Sequence, residues 1–235
     1  MPQLNWIFGP NGAGKTTFAT TFLDVEHINV DFILLELIQR SYPGIINKLK
    51  ENPTEWWIQD TYLTELENNL DRARTTALNC IDELLDFNES FSVESNFLPS
   101  QTEKFFNTAI DKGYNINFIY VALPSIEMCI KRVEERTAIT GQYVSNIGIN
   151  DRFNKGIFEV NTLLDPGNQL KYKKQINSIS IVSGENINDM RDILFIFKGV
   201  QRMYDSLLIK TYSRIIPSLK IYNLIETDKV NFLEL

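Results

Sequence analysis

The residues best suited to chemistry open the chain. Gly9-Pro10-Asn11-Gly12-Ala13-Gly14-Lys15-Thr16, followed by Thr17, fits G-x-x-x-x-G-K-[ST], a loop whose bare backbone can approach a polyphosphate and point its N–H groups at it. In such a loop Lys15 reaches the β and γ phosphates and Thr16 offers its hydroxyl to Mg²⁺, which implies ATP or GTP with magnesium. The apolar run Leu4 to Phe8 enters the loop, and Lys15 to Leu23 has helical spacing. The motif thus sits between strand and helix, and the helix N-terminus adds partial positive charge where the anion would lie. The bland alternative is a tight glycine turn that only joins two elements.

A carboxylate and three guanidiniums supply what phosphoryl transfer needs beyond the loop. Asp31 stands at the carboxyl end of a second strand candidate, His27 to Val30, where ligand crevices of open α/β sheets lie, next to the first strand and its loop. There it can take a proton from an attacking hydroxyl or orient it. The residues alone leave an equal alternative, an N-cap for the helix FILLELI. Arg132 and Arg136 are four apart in IKRVEERTA and share a helical face, while Arg152 follows a looser stretch that could fold over phosphates. Three guanidiniums can neutralise oxygens whose charge redistributes in the transition state; a solvated helix paired with Glu134 and Glu135 is the alternative.

The elements that must position these groups alternate along the chain. FILLELIQRSY predicts a helix stopped near Pro43-Gly44, and Glu55 to Leu85 predicts one long helix or a helical pair. Ser90 to Ser95 is a third strand candidate, Gln101 to Lys112 a helix, and Asn117 to Leu123 an apolar run suited to a buried parallel strand. Ser125 is placed to cap the helix that carries the arginines. Thr137 to Asn150 reads as a looser segment and Asp151 to Leu164 as helical. Residues 165 to 199, with ISIV at their centre, read as an inserted hairpin, and Leu219 to Ile225 as a last strand. Strands separated by helices imply right-handed β-α-β units in one three-layer α/β domain spanning residues 1 to 235.

Composition narrows the function. With 235 residues, 43% apolar, the chain can bury a full core, and a net charge of −7 lacks the broad basic field that nucleic-acid binders use. Two cysteines, Cys80 and Cys129, stand far apart, which suggests neither a disulfide framework nor a zinc site. No apolar run approaches a membrane span and the loop begins close to Met1, so a cytoplasmic protein without membrane contact is expected. The loop also suits an ABC-type ATPase, but no LSGGQ-like signature or apolar strand ending in Asp-Glu accompanies it; the Asn-Lys-x-Asp base reader of GTPases is missing too. A module that binds nucleotide without transfer is the alternative from another class. Trp56 and Trp57 read as packing residues, and His27 as structural.

In order, GPNGAGKTT, INVD, FSVES, KGYNINFIYVALPSIEMCIKRVEER and INDRF resemble the zeta toxin family of P-loop kinases and its stand-alone relatives, often described as predicted ABC-type ATPases. The likeness covers about residues 2 to 160, with a weaker echo in IPSLKIYN. It implies an adenylate-kinase-like parallel sheet and an ATP- and Mg²⁺-dependent kinase acting on a hydroxyl of a small metabolite. For the family that acceptor is UDP-N-acetylglucosamine, and an antitoxin protein is a further partner to expect. The resemblance makes Asp31 the catalytic base, Lys15 the phosphate clamp, and Glu94 the residue that holds the acceptor. Arg136 and Arg152 become phosphate contacts, with Arg132 nearer the base or phosphates. Two stretches depart from the pattern: Glu94-Ser95-Asn96 where relatives read Glu-Thr-Thr, and Thr140-Gly141-Gln142 where they read Gly-Gly-His.

Overall fold

A computed structural model describes residues 1–98, 104–165, 176–197 and 200–219. Its centre is one seven-stranded sheet in the order β2-β3-β1-β4-β5-β6-β7, comprising β1 (Gln3–Phe8), β2 (Glu26–Asn29), β3 (Phe91–Glu94), β4 (Asn115–Ala122), β5 (Ile176–Ser183), β6 (Arg191–Phe197) and β7 (Val200–Tyr204). The first five are parallel, and β6 and β7 add an antiparallel margin. The helices are α1 (Lys15–Phe22), α2 (Val30–Ser41), α3 (Ile45–Glu51), α4 (Trp56–Phe87), α5 (Lys104–Asp111), α6 (Ile126–Thr140), α7 (Asn146–Leu164) and α8 (Ser206–Tyr212). This is the expected three-layer α/β fold.

Alternation along β1 shows why the sheet must be covered twice. Leu4, Trp6 and Phe8 point into a core shared with Ala77, Ile81 and Leu85 of α4 and Phe105 and Phe106 of α5. Ile7 points the other way, onto Ala19 of α1, Cys129 and Val133 of α6 and Val121 of β4. Each large side chain so buried contributes about 1.5–3 kcal/mol. A third cluster lies among helices: Leu34 and Ile38 of α2, Ile45 and Leu49 of α3, Ile58 and Tyr62 of α4. These helices wall one side of the carboxyl edge of the sheet.

Several expectations change. Asp31 does not follow a strand adjacent to the first, as its sequence position suggests, because β3 lies between β2 and β1. The helix begins earlier than the sequence suggests, at Val30, so Asp31 sits in its first turn. α4 is a single helix of 32 residues. α6 runs on to Thr140 and α7 starts at Asn146, so the looser segment shrinks to Gly141–Ser145. Its sequence explains this: Gly141 takes φ +71°, and a Cβ there would fall 2.6 Å from Ile46 of α3, so glycine lets the two helices close up. The segment expected as an insertion over about 165 to 199 differs at its centre, because Ile176–Ser183 is β5, parallel to β4 inside the sheet. β6 returns antiparallel to β5, and β7 antiparallel to β6. The last strand expected, Leu219 to Ile225, lies outside the described residues beyond Leu219. Trp56 and Trp57 are not packing residues; they are 73% and 45% exposed. Among the described residues no helix is long and apolar enough to cross a membrane.

The turn after β5 locks the sheet to the phosphate loop. Gly184 donates its N–H to Ala122 O at 2.9 Å, and a Cβ on Gly184 would fall 2.1 Å from Ala13 O. Gly184→Ala should therefore lower unfolding free energy by about 1–3 kcal/mol, as overpacking does. Urea unfolding measures it, and an unchanged midpoint would contradict the contact.

Candidate active site

The loop from Gly9 to Thr16 leaves β1 and enters α1 through glycines in the left-handed region: Gly9 at φ +144°, Gly12 at +79° and Gly14 at +97°. A Cβ on Gly9 would fall 2.4 Å from Val121 O, so the loop can lie this close to β4 only without one. No side chain caps α1. Its first N–H groups thus have neither intrahelical partners nor a side-chain oxygen, the condition in which a helix start accepts an anion.

Lys15, 6% exposed, folds back over this loop. Its Nζ donates to Gly9 O at 3.0 Å, Pro10 O at 3.1 Å and Asn96 Oδ1 at 3.3 Å, and lies 3.8 Å from Glu94 Oε1. Burial pushes its pKa below the usual lysine value; Glu94 and Asp31 oppose that shift, and Arg136 and Arg152 add to it. An arriving triphosphate would relieve the strain by supplying negative charge.

Glu94 ends β3 and is held from several sides. Its Oε2 accepts from Thr16 Oγ1 at 2.7 Å and from Asn29 Nδ2 at 2.9 Å. His27 brings Nε2 to 3.4 Å from Oε2 while its Nδ1 lies 2.9 Å from Ser92 Oγ. The His27 Nε2 approach falls short of a hydrogen bond by geometry among the described residues. Burial raises the Glu94 pKa, but His27, the Lys15 charge and the Thr16 hydroxyl outweigh it and hold the carboxyl below its ordinary range. His27 is therefore tied to the site, contrary to its reading as a merely structural residue. The clue was positional: in parallel strands the register Asn29↔Glu94 and His27↔Ser92 puts both β2 side chains beside β3.

Thr16 and Glu94 together offer hard oxygens beside the loop. Among the described residues no group of three or more His, Cys, Asp or Glu could hold a metal on its own. Mg²⁺ is commonly held by one or two protein oxygens together with substrate phosphates and water, and Thr16 and Glu94 could supply such oxygens. The sequence points to Thr16 alone as a metal oxygen; the structure places the Glu94 carboxylate beside it.

Asp31 is released from capping by its neighbour. Asn29 caps α2, its Oδ1 accepting from the Asp31 N–H at 2.8 Å, so Asp31 does not fill the capping role that its sequence position allowed. Its carboxylate has no hydrogen bond or ion pair among the described residues and lines a cleft of 270 Å³ with Lys15, Glu94, Asn96 and Arg152. A larger cleft, 640 Å³ between α6, α7 and the start of α4, is bordered by Gln59, Val133 and Tyr143 and by none of the phosphate-loop residues.

The arginines divide. Arg152 Nη1 donates to Asn11 Oδ1 at 3.1 Å and so reaches the loop. Arg136 carries Nε and Nη2 buried without a hydrogen-bond partner. Burial lowers its pKa, opposed by Asp31, Glu94 and Tyr62, yet a guanidinium stays charged. Buried donors without a partner among the described residues, in a guanidinium that feels Lys15, Asp31 and Glu94 electrostatically, are what an incoming anion would satisfy. Arg132 is spent differently: Nη1 donates to Gly12 O at 3.3 Å and Gly184 O at 2.6 Å, and Nη2 to Glu185 O at 2.6 Å. It straps the turn after β5 to the loop. Tyr62, which the sequence did not single out, faces the same charges; burial and then Asp31 push its phenol up to about 12, so it stays neutral.

Fold and site together define an α/β protein with a P-loop kinase-like fold. No family model and no curated protein matches the chain. Among solved structures, one of the PezAT chromosomal toxin-antitoxin system of Streptococcus pneumoniae is similar at 15% identity and TM-score 0.51, covering 96% of this chain and 88% of that one. A chain of the AvrRxo1-ORF1:AvrRxo1-ORF2 complex with sulphate ions is similar at 11% identity and TM-score 0.56, covering 97% of this chain and 66% of that one. The same complex with ATP gives 12% identity and TM-score 0.55, covering 98% and 66%. At these identities the likeness is one of fold, and it is the zeta-toxin-like fold that the motifs implied.

Glu94 also gives the site a pH signature. Its folded pKa lies below the ordinary 4.5, so its contribution to stability is complete above that value and is lost as pH falls through the lowered one. Glu94→Gln should flatten this part of the acid limb in urea titrations between neutral pH and pH ~3. An acid limb identical to that of the parent would contradict the assignment.

Proposed function

We propose that the chain is an ATP- and Mg²⁺-dependent phosphotransferase that moves the γ-phosphoryl group to a hydroxyl of a small metabolite. The observation that carries this reading is the pairing, in one cleft, of an uncommitted Asp31 carboxylate with Lys15 and the phosphate loop. Likeness to the AvrRxo1 complex solved with ATP supports the choice of nucleotide.

Each residue then has a task. The glycine loop and the start of α1 bind the triphosphate through backbone N–H groups, and Lys15 leaves its carbonyl partners for the β and γ oxygens. Thr16 and Glu94 would hold Mg²⁺, which would supply neutralising charge to the phosphates. Asp31 accepts the proton of the acceptor hydroxyl as its oxygen bonds to the γ phosphorus. The bond from that phosphorus to the β–γ bridging oxygen breaks, and ADP departs with the electron pair. Arg136 and Arg152 face the oxygens whose charge is redistributed in the transfer. Asn96, on Lys15, and Ser95 line the acceptor side of the cleft.

UDP-N-acetylglucosamine, the acceptor implied by the zeta resemblance, is the first to test. Because the PezAT structure is that of a toxin-antitoxin system, the proposal includes a protein partner of antitoxin type. The reaction is read as acceptor-dependent ADP formation with phosphate appearing on the acceptor, across UDP-sugars, nucleosides and NAD.

Asp31→Asn should cut transfer by roughly a hundredfold or more, the scale of a general base, with ATP affinity within a few-fold. Near-normal turnover would remove Asp31 from the reaction. Lys15→Ala should lose transfer and weaken ATP binding in calorimetry; unchanged constants would be incompatible with the clamp.

A further inference from the structure

One face of the β2-β3 pair carries a buried row of polar side chains beside the phosphate loop. The register of the two parallel strands creates it: His27, the chain's single histidine, lies opposite Ser92, and Asn29 lies opposite Glu94. Alternate residues of a strand share a face, so all four gather on one side. Ser92 and Asn29 are buried, and the side chains of His27 and Glu94 are 12% and 10% exposed.

The two ring nitrogens of His27 are engaged unequally. Nδ1 lies 2.9 Å from Ser92 Oγ, whereas Nε2 is buried, has no hydrogen-bond partner among the described residues and stops 3.4 Å from Glu94 Oε2. The Ser92 hydroxyl can donate to Nδ1 at 2.9 Å or to Glu26 O at 3.3 Å. Donation over the shorter distance puts the proton of the neutral ring on Nε2, facing Glu94. The other tautomer would set a bare nitrogen lone pair against a carboxylate, which repels it.

Glu94 is held unevenly as well. Oε2 accepts from Thr16 and Asn29 at 2.7 and 2.9 Å, while Oε1 faces Lys15 at 3.8 Å. Burial is the largest influence opposing its charge, and His27 is the first of the groups that offset it, ahead of Lys15. Once Lys15 moves to a triphosphate, a buried carboxylate is left without its nearest cation, and a fresh donor has most to contribute. Nε2 needs to close only about 0.5 Å, from 3.4 Å to the ~2.9 Å of an ordinary N–H···O bond.

We propose that His27 is a positioning residue: when the triphosphate draws Lys15 away, His27 Nε2–H closes onto Glu94 Oε2 and, with Ser92 behind it, keeps the carboxylate in place beside the loop. The ring gains a hydrogen bond and keeps its proton count. The departure of Lys15 rests on the phosphotransfer reading. The Ser92–His27–Glu94 row rests on strand register alone.

Nuclear magnetic resonance of ¹⁵N-labelled histidine reads this ring without overlap, because the chain has no other. At one fixed pH the parent should show Nε2 protonated. Its Nε2–H signal should move downfield, as a shortening hydrogen bond requires, when Mg²⁺ and a non-hydrolysable ATP analogue are added. Lys15→Ala should give the same displacement without nucleotide, and Glu94→Gln should remove most of it. In calorimetry His27→Phe should weaken binding of the analogue about tenfold, the scale of one hydrogen bond to a charged group. His27→Gln, whose amide can donate, should recover part of the loss. In a Glu94→Gln background His27→Phe should change that affinity less than about twofold. A bare Nε2, a signal unmoved by the analogue or in Lys15→Ala, or an equal His27→Phe loss in the Glu94→Gln background overturns the proposal. A transfer assay separates the two readings. Displacement of the His27 signal without phosphoryl transfer refutes the kinase reading alone, transfer with an unmoved signal refutes this one alone, and an analogue that does not bind refutes both.

Discussion

Burying Lys15 against Glu94 at the carboxyl edge of the sheet is the constraint around which the molecule is arranged. Neither charge could remain there alone, since an unpaired buried ion is far costlier than a pair. Glu94 must be brought by β3 and Lys15 by the turn out of β1, so adjacent parallel pairing of β1 and β3 is a condition for both. Thr16, Asn29 and His27 fill the remaining directions around the carboxylate, which draws β2 and the start of α2 into the same assembly. The capping of α2 by Asn29 follows from that placement, and it leaves Asp31 uncommitted at the cleft.

The electrostatics are those of a site built for an anion. Lys15 and Arg152 contact a loop whose backbone dipoles already favour negative charge, Arg136 is coupled to them electrostatically, and burial makes Lys15 and Arg136 less comfortable than they would be in water. Arg136 in particular keeps donors with no acceptor. Donors held rigidly before the reaction need no reorganisation during it, which is where enzymes gain most from fixed dipoles and charges. Arg132 shows the complementary economy of the fold: its charge is used on carbonyls to keep the turn after β5 against the loop.

What the sequence revealed follows the range of the interactions involved. The glycine loop, the alternation of β1 and the Ser125 cap are local, and each was legible. Asp31 was ambiguous because capping depends on which of two neighbouring polar residues leaves the helix, and the decision came from the contact of Asn29 with Glu94, 65 residues away. His27 and Tyr62 were not legible as site residues, since a strand register and a packing of helices bring them in. ISIV resembled a surface hairpin because it is short and polar at alternate positions; pairing with β4 makes it a sheet strand. Arg136 and Arg132 share a helical face in the sequence but diverge in task, because Gly12 and Gly184 present carbonyls to one and not to the other.

A structure of the protein with Mg²⁺, an ATP analogue and an acceptor tests the central claim most directly. The account predicts the γ phosphorus between Lys15 and Arg136, with the acceptor oxygen within ~3–3.5 Å of it, in line, and in hydrogen-bond reach of Asp31. A triphosphate bound away from the glycine loop, or seated there with Asp31 unable to reach any acceptor oxygen, would contradict it.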